Sequence, residues 1–272
     1  MIFLIKLIVS DIDGTLIDDD LNISPKLQAT VERLKAQNIF FTLATGRMFS
    51  SALPFAQKLK VNIPIITYNG ALIQDTQQGT QLFSKKISPP VARLILQTCK
   101  TNNWYVQCYI DDKLYVANDC AYARQYSSLA GVPFYTLGDD FFNLSLPQDK
   151  MLIIAEPEQL TAIQAQLVSL AGEEICFTSS KSKFIECVHR DVNKGVAIKK
   201  LADYLNVDLD EVMAVGDSFN DVEMLKTAGL GIAMGNAPTP VKNIAKAITS
   251  SNQDDGLAVS IEKYVFNYNK RI

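Results

Sequence analysis

The stretch "LIVSDIDGTLIDDD" (residues 7–20) decides how the chain is read. An apolar run stops at Asp11 and Asp13, Gly14 and Thr15 follow, and three more acids stand at 18–20. Crowded or buried carboxylates cost free energy unless a cation or a hydrogen-bond network compensates them. Residues 3–10 have the apolar, β-rich character of a strand covered on both faces. Such a strand would carry both aspartates to a sheet edge, as a solvated turn, a calcium loop or a reaction centre. A calcium loop opening at Asp11 needs glycine at its sixth position and glutamate at its twelfth. Those positions hold Leu16 and Asn22, so that reading falls.

Outward from this strand, strands and helical stripes alternate. In "SPKLQATVERLKAQN", Ser24 is an N-cap, Pro25 suits the first helical position, and Leu27, Val31 and Leu34 share one face. "IFFTLAT" (39–45) is the next strand, "SALPFAQKLK" is helical despite Pro54, and "IPIITYNG" (63–70) is a third strand. This βαβαβ order implies a parallel sheet with right-handed crossovers.

The rhythm then breaks. "ALIQDTQQGTQLFSKKI" reads as a polar-tipped hairpin, "SPPVARLILQTCK" as a helix, and "WYVQCYIDDKLYVAN" as two strands joined at Asp111–Asp112. "KMLIIAEPEQLTAIQAQLVSLAG" gives a strand and a helix, and "EICFTSS" and "FIECVH" give two more strands. Strand–helix alternation resumes at "NKGVAIKKLADYLN" and ends in a C-terminal helix. The expected class is α/β. Residues 1–83 and 191–272 form a discontinuous Rossmann-like parallel core, and 84–190 form an inserted α+β domain with an antiparallel sheet.

Bulk composition narrows the function. Apolar residues make up 48% and charged residues 20%, as in ordinary globular proteins. A net charge of −3 gives no general attraction to nucleic acid or to an anionic membrane. An anionic substrate would therefore need a local cationic site. Five cysteines without a CxxC pair argue against a zinc cluster and against a disulfide framework. The start "MIFLIKLIVS" has no basic leader, carries Lys6 within the run, and is followed by no small-residue cleavage site. It is expected to be a buried strand of a cytoplasmic protein, and no other segment approaches a membrane span.

In open parallel sheets, ligands bind beyond the carboxyl ends of the strands. Four segments fall at such exits or at helix starts: Asp11/Asp13, Thr45–Gly46–Arg47, Lys194, and "GDSFND" with Asp217, Asn220 and Asp221. Several carboxylates supply hard oxygen ligands suited to magnesium. A lysine, a hydroxyl and exposed N–H groups suit phosphoryl oxygens. Each segment alone is commonplace. Their conjunction, in this order, is specific.

Together, "DIDGTL", "ATGR", "NKG" and "GDSFND" resemble the four ordered motifs of the haloacid dehalogenase superfamily. More narrowly, the chain resembles its Cof-type phosphatases, which carry a large cap between the second and third motifs. "YNGA", "GIAMGNAP" and "NQDDGLA" are also similar to that subgroup. The resemblance implies a magnesium-dependent phosphatase of small phosphorylated metabolites (sugar phosphates, nucleotides or phosphorylated cofactors), with an aspartyl-phosphate intermediate. Asp11 would be the nucleophile, and magnesium would be held by Asp11, Asp217 and the Asp13 carbonyl. The Asp13 side chain would act as general acid and then base, which calls for a pKa above its reference of about 4. Thr45, Gly46, Lys194, Asn220 and the N–H groups of Ile12 and Asp13 would bind phosphoryl oxygens. Asp221 would support the metal's waters or Lys194, and Arg47 would touch substrate or cap. The cap would close over the crevice and select the substrate.

A phosphomutase or a sugar-phosphate-specific phosphatase shares these residues. A phospho-aspartate signalling receiver also uses an acceptor aspartate, magnesium, a hydroxyl and a lysine. The chain length, the insertion and Asp13 stand against the receiver. Among other conspicuous residues, His189 is expected to be structural. Trp104, Tyr105 and Tyr109 are expected in the core of the inserted domain, and Asp18 to Asp20 as solvated loop acids. Nothing in the sequence sets an oligomeric state.

Overall fold

Residues 4–267 are described by a computed structural model of the protein. Residue 3, the expected start of the first strand, lies outside the described residues. The chain first lays down β1 (Leu7–Ser10), α1 (Pro25–Ala36), β2 (Phe40–Leu43), α2 (Phe49–Lys58), β3 (Ile65–Thr67), β4 (Leu72–Gln74) and β5 (Gln81–Ser84). It continues with α3 (Pro89–Asn102), β6 (Tyr105–Ile110), β7 (Lys113–Val116), α4 (Ala121–Ala130) and β8 (Phe134–Thr136). Next come β9 (Lys150–Ile154), α5 (Pro157–Ala171), β10 (Ile175–Thr178) and β11 (Phe184–His189). The last run is α6 (Lys194–Leu205), β12 (Val212–Gly216), α7 (Val222–Thr227), β13 (Leu230–Ala233), α8 (Thr239–Ile244), β14 (Ala247–Ile248) and α9 (Gly256–Ile261).

One sheet has the order β14-β13-β12-β1-β2 and is parallel throughout. All four residues of β1 are buried, as a strand covered on both faces requires. It is shorter than the apolar run suggests: Leu4 is exposed, and Lys6 donates its N–H to the Glu211 carbonyl outside the strand. Ser24 caps α1 as its sequence predicts, accepting the Leu27 N–H at 3.0 Å. Beside β2, a single parallel bridge joins Ala44 to Ile66, and the chain then turns into the antiparallel set β3-β4-β5.

The second sheet, in the order β10-β11-β9-β6-β7-β8, is antiparallel except for the β7–β8 pair. That parallel pair needs a crossover, and α4 supplies it, where sequence reading assigned no element. Its buried residues Ala123, Tyr126 and Ala130 are spaced three and four apart, and Gly131 ends it at φ +67°. Asp111 and Asp112 form the expected β6–β7 turn, both at positive φ (47° and 58°).

Strand periodicity splits β6 between two environments. Trp104, just before β6, packs against the cluster that includes Ile95, Met151 and Leu167, as expected. Tyr105 and Tyr109 do not. They face the other way, into the cluster that includes Leu7, Ile8 and Phe41 of the parallel layer. Tyr109 is fully buried there, edge-on to Tyr68 (centroids 5.9 Å apart) and Tyr126 (6.2 Å). The two layers thus share one apolar interface. All five cysteines are free thiols, and among the described residues no helix is long and apolar enough to cross a membrane.

Candidate active site

The site is assembled where β1 and β12 leave the parallel sheet side by side. Asp11 follows β1 and is held in line with β12 by its N–H to the Val215 carbonyl, at 3.0 Å. Leu16 and Ile17 both return their N–H groups to the Ile12 carbonyl, so the chain turns tightly after Asp11. Gly14 sits inside this turn at φ +75°, and a Cβ there would lie 2.5 Å from Asp217 Oδ2. Only glycine lets the first loop come this close to the carboxylate at the β12 exit. Asn236 donates to the Gly14 carbonyl at 2.9 Å, and Asn252 reaches the Ile17 carbonyl at 3.0 Å. The "GNAP" and "NQDDG" segments therefore brace the turn that carries Asp11.

Lys194 opens α6 behind the Asn193 cap, which accepts the Val196 N–H at 2.8 Å. Its ammonium is fully buried, 2.5 Å from Asp11 Oδ1 and 2.6 Å from Asp221 Oδ1. Burial works against that charge, but Asp11 and Asp221 outweigh it and hold the amine above its ordinary pKa. Asp221 Oδ2 takes the N–H groups of Asp217 and Ser218, both at 2.9 Å. Both Asp221 oxygens are thus engaged in fixing Lys194 and the loop after β12.

Carboxylates outnumber cations here. Burial, with the charges of Asp221, Asp217 and Asp13 behind it, pushes the Asp11 carboxyl up despite Lys194. Burial and Asp221 likewise raise Asp217 to about 7. Ligand atoms of Asp11, Asp217 and Asp221 lie within 4.8 Å of one another. Asp217 Oδ1 accepts Thr15 Oγ1 at 3.1 Å, which leaves its Oδ2, together with Asp11 Oδ2, without a partner among the described residues. Hard oxygens, an excess of negative charge and two unengaged carboxylate atoms suit magnesium. With both its oxygens occupied, Asp221 is better placed as a support than as a ligand.

Asp13 behaves differently from its expectation. Burial would raise its carboxyl, but the Arg47 fork, helped by Lys181 and Lys194, outweighs burial and holds it below its ordinary value. Arg47 donates Nε to Oδ2 and Nη2 to Oδ1, each at 2.8 Å, and Nη1 to Ser51 at 3.1 Å. An upward shift at Asp13 is therefore not what this arrangement produces. Arg47, expected to touch substrate or cap, also holds Asp13, and its neighbour Ser51 donates to the Ala130 carbonyl at the end of α4.

Thr45, Gly46 and Arg47 are pinned against the β3 exit by Thr45 N–H to Ile66, Tyr68 N–H to Arg47 and Asn69 N–H to Thr45. Asn220 donates to Asn69 at 3.0 Å, and its own Oδ1 is buried without a partner. Asp11, Asp13, Thr45, Gly46, Arg47 and Asn220 all line one cleft. Lys194, Asp217 and Asp221 stand behind Asp11, and Ile12 is buried beneath the turn.

The far side of the cleft was not foreseen. The second sheet contributes Lys150 and Glu186, each only 2% exposed, with Ser180, Lys181, Phe184 and the α4 residues Tyr126, Leu129 and Ala130. Lys150 donates to the Gly46 carbonyl at 2.6 Å, while Glu186 accepts from Asn69 and Ser180. A lone acid inside the apolar strand "FIECVH" was the available signal for Glu186, and Lys150 opened an apolar strand in the same way. His189 stays outside the cleft, accepting the Asp191 N–H at 3.1 Å, and Asp18 to Asp20 stay in their own loop.

Residues 8–261 match the haloacid dehalogenase-like hydrolase family. The chain belongs to this family. A 5-amino-6-(5-phospho-D-ribitylamino)uracil phosphatase of Bacillus subtilis is 30% identical over 263 residues, covering 95% of this chain and 97% of the relative. An HMP-PP phosphatase of Yersinia pestis is 29% identical over 237 residues, covering 87% of this chain and 86% of the relative. A solved haloacid dehalogenase-like hydrolase of Bacteroides thetaiotaomicron superposes with a TM-score of 0.86 at 30% identity, covering 95% of this chain and 99% of that one. Family membership and the named relatives together make this haloacid dehalogenase-like hydrolase a phosphatase.

Proposed function

We propose that this phosphatase is magnesium-dependent and hydrolyses a small phosphorylated metabolite through an aspartyl-phosphate on Asp11. The observation that carries it is Asp11 itself: a buried carboxylate at a strand exit, gripped by Lys194 on one oxygen, with Asp13 two residues on and an open cleft ahead. In the first step, an Asp11 oxygen attacks phosphorus and the bond to the substrate oxygen breaks. Asp13 gives that leaving oxygen its proton. In the second step, Asp13 takes a proton from water, which attacks the phosphoryl group and releases Asp11 as a carboxylate. Both Asp13 oxygens are held by Arg47, so Arg47 lets go of one of them for Asp13 to carry the proton.

Thr45, Gly46 and Asn220, with the N–H groups of Ile12 and Asp13, cradle phosphoryl oxygens, and Lys194 neutralises charge beside Asp11. Asp11, Asp217 and the Asp13 carbonyl would hold magnesium, which supplies positive charge between two anions that otherwise repel. Residues 84–190 act as a cap over the cleft, excluding water and selecting the leaving group. A phosphate-release screen over a metabolite panel, with and without magnesium, tests this. Release that requires magnesium and drops at least ~1,000-fold in Asp11→Asn is expected. Wild-type-like turnover by Asp11→Asn would sink the nucleophile. Conversion between phosphate isomers without free phosphate would point to a mutase.

A further inference from the structure

Among the described residues, four cationic side chains line the cleft or stand directly behind Asp11, and three of them are already matched. Lys194 is held by Asp11 and Asp221, and Arg47 closes on both oxygens of Asp13. Lys150 donates to the Gly46 carbonyl, with Glu186 3.7 Å away. Lys181 is the fourth. It lines the cleft, and its ammonium has neither a hydrogen bond nor an ion pair among the described residues. Lys183, two residues on, pairs with Glu156 at 2.7 Å, so one short turn holds a matched lysine and an unmatched one.

The backbone around Lys181, between β10 and β11, is fixed. Its carbonyl accepts the Ser179 hydroxyl at 2.7 Å and the Phe184 N–H at 3.0 Å. The Ser180 carbonyl accepts the Ser218 hydroxyl at 3.3 Å, which ties this turn to the loop that carries Asp217. Position is thus set by the fold while the charge is left open. On the second sheet's side of the cleft, Lys150 and Glu186 offset one another, so Lys181 leaves that wall with one net positive charge. Tyr126 adds a donor to the same wall. Its ring lies 6.1 Å from that of Phe184, and its hydroxyl makes no hydrogen bond among the described residues.

The reacting phosphoryl group has its own partners on the core side, assigned above to Lys194, Thr45, Gly46 and Asn220. An unmatched cation on the opposite wall faces the leaving group instead. A neutral leaving group abandons that ammonium to water, whereas an anionic one gains a charge-assisted hydrogen bond in a partly enclosed space. The charge of Lys181 also helps to hold the Asp13 carboxyl down, so it stands only a short spacer from the bond to be broken. Resting on the phosphatase reading above, we propose that Lys181, with the Tyr126 hydroxyl as a second donor, binds a second anionic group on the substrate's leaving group, a carboxylate or a further phosphate.

Glycerol 3-phosphate and 3-phosphoglycerate are both esters of a primary alcohol and differ by a hydroxymethyl group against a carboxylate. Sorbitol 6-phosphate and 6-phosphogluconate repeat the comparison over a longer spacer, and glycerol 1,3-bisphosphate sets a second phosphate in place of the carboxylate. Wild-type kcat/KM is expected to favour a charged ester over its neutral partner by about tenfold or more, chiefly through KM. In Lys181→Gln that preference is expected to fall toward one, and in Tyr126→Phe to fall by a smaller factor. Each preference is a ratio within one preparation, so a partly unfolded variant does not disturb it. Neutral esters used as well as every charged one, or better, overturn this inference and leave the phosphatase reading standing. A preference that survives in Lys181→Gln overturns the role of Lys181, and one untouched in Tyr126→Phe overturns that of the hydroxyl. Hydrolysis of no ester in the wider panel overturns the phosphatase reading, and this inference with it.

Discussion

Arg47 closes on Asp13 with two parallel hydrogen bonds of 2.8 Å, one to each carboxylate oxygen. A lysine keeps the charge at this position but loses the planar fork. Arg47→Lys is expected to lower kcat/KM by about tenfold or more in a folded protein, whereas the same change made on top of Asp13→Asn should add little. Steady-state kinetics of the two singles and the double variant check this, and full additivity would separate the two residues.

Lys194 is the buried counter-ion of both Asp11 and Asp221. Lys194→Met leaves two carboxylates facing each other without compensation. The expected cost is roughly 3–5 kcal/mol of stability, with loss of turnover. Urea unfolding of the metal-free protein measures it.

Asp217 titrates near 7 because burial and Asp221 oppose its charge. An acid whose folded pKa lies above its unfolded value near 3.9 binds its proton more tightly in the folded state. Its contribution is therefore fully present below about pH 4 and is lost as pH rises toward 7. The metal-free protein should melt a few degrees lower at about pH 7.5 than at about pH 5, and magnesium should recover the difference at the higher pH. Asp217→Asn should flatten the pH dependence and remove most of the magnesium gain. Calorimetry with and without chelator decides it.

Gly14→Ala places a Cβ against Asp217 Oδ2 and demands a positive φ of alanine. The Asp11 turn and Asp217 must then part, so magnesium is expected to bind about tenfold or more weakly, at a stability cost of about 1–3 kcal/mol. Isothermal titration with magnesium reads the first effect and thermal unfolding the second.

Lys150 and Glu186 form a buried pair, 3.7 Å apart, between the two layers. Removing only Glu186, as leucine, leaves the ammonium without a carboxylate partner and should cost about 3 kcal/mol or more. The double variant Lys150→Met/Glu186→Leu should recover much of that stability. Unfolding free energies of the two single variants and the double variant form the required cycle.

The sequence on its own determined the features that neighbours along the chain encode. The apolar run that ends in β1, the Ser24–Pro25 start of α1 and the Asp111–Asp112 turn are local patterns, and each forms its element, β1 over a shorter span than the run. The four ordered motifs likewise placed their acids, hydroxyl and lysine at strand exits and helix starts. Period-2 alternation was legible along β6 as well, but not which layer each face would meet, so Tyr105 and Tyr109 were assigned to the wrong core. The buried stripe of α4 is made of Ala123, Tyr126 and Ala130, small and aromatic residues rather than branched aliphatic ones, and it went unread although its Gly131 terminus was in view.

Only the tertiary structure decided the partnerships. Arg47 on Asp13, Lys150 on the Gly46 carbonyl and Glu186 on Asn69 join residues 34, 104 and 117 positions apart. No local segment contains the energy of such contacts. It arises when sheet register and the packing of two layers bury charged groups together, and a buried charge takes whichever partner that packing supplies. That is why Asp13, legible as an acid beside the nucleophile, has its proton affinity set by an arginine from another strand exit.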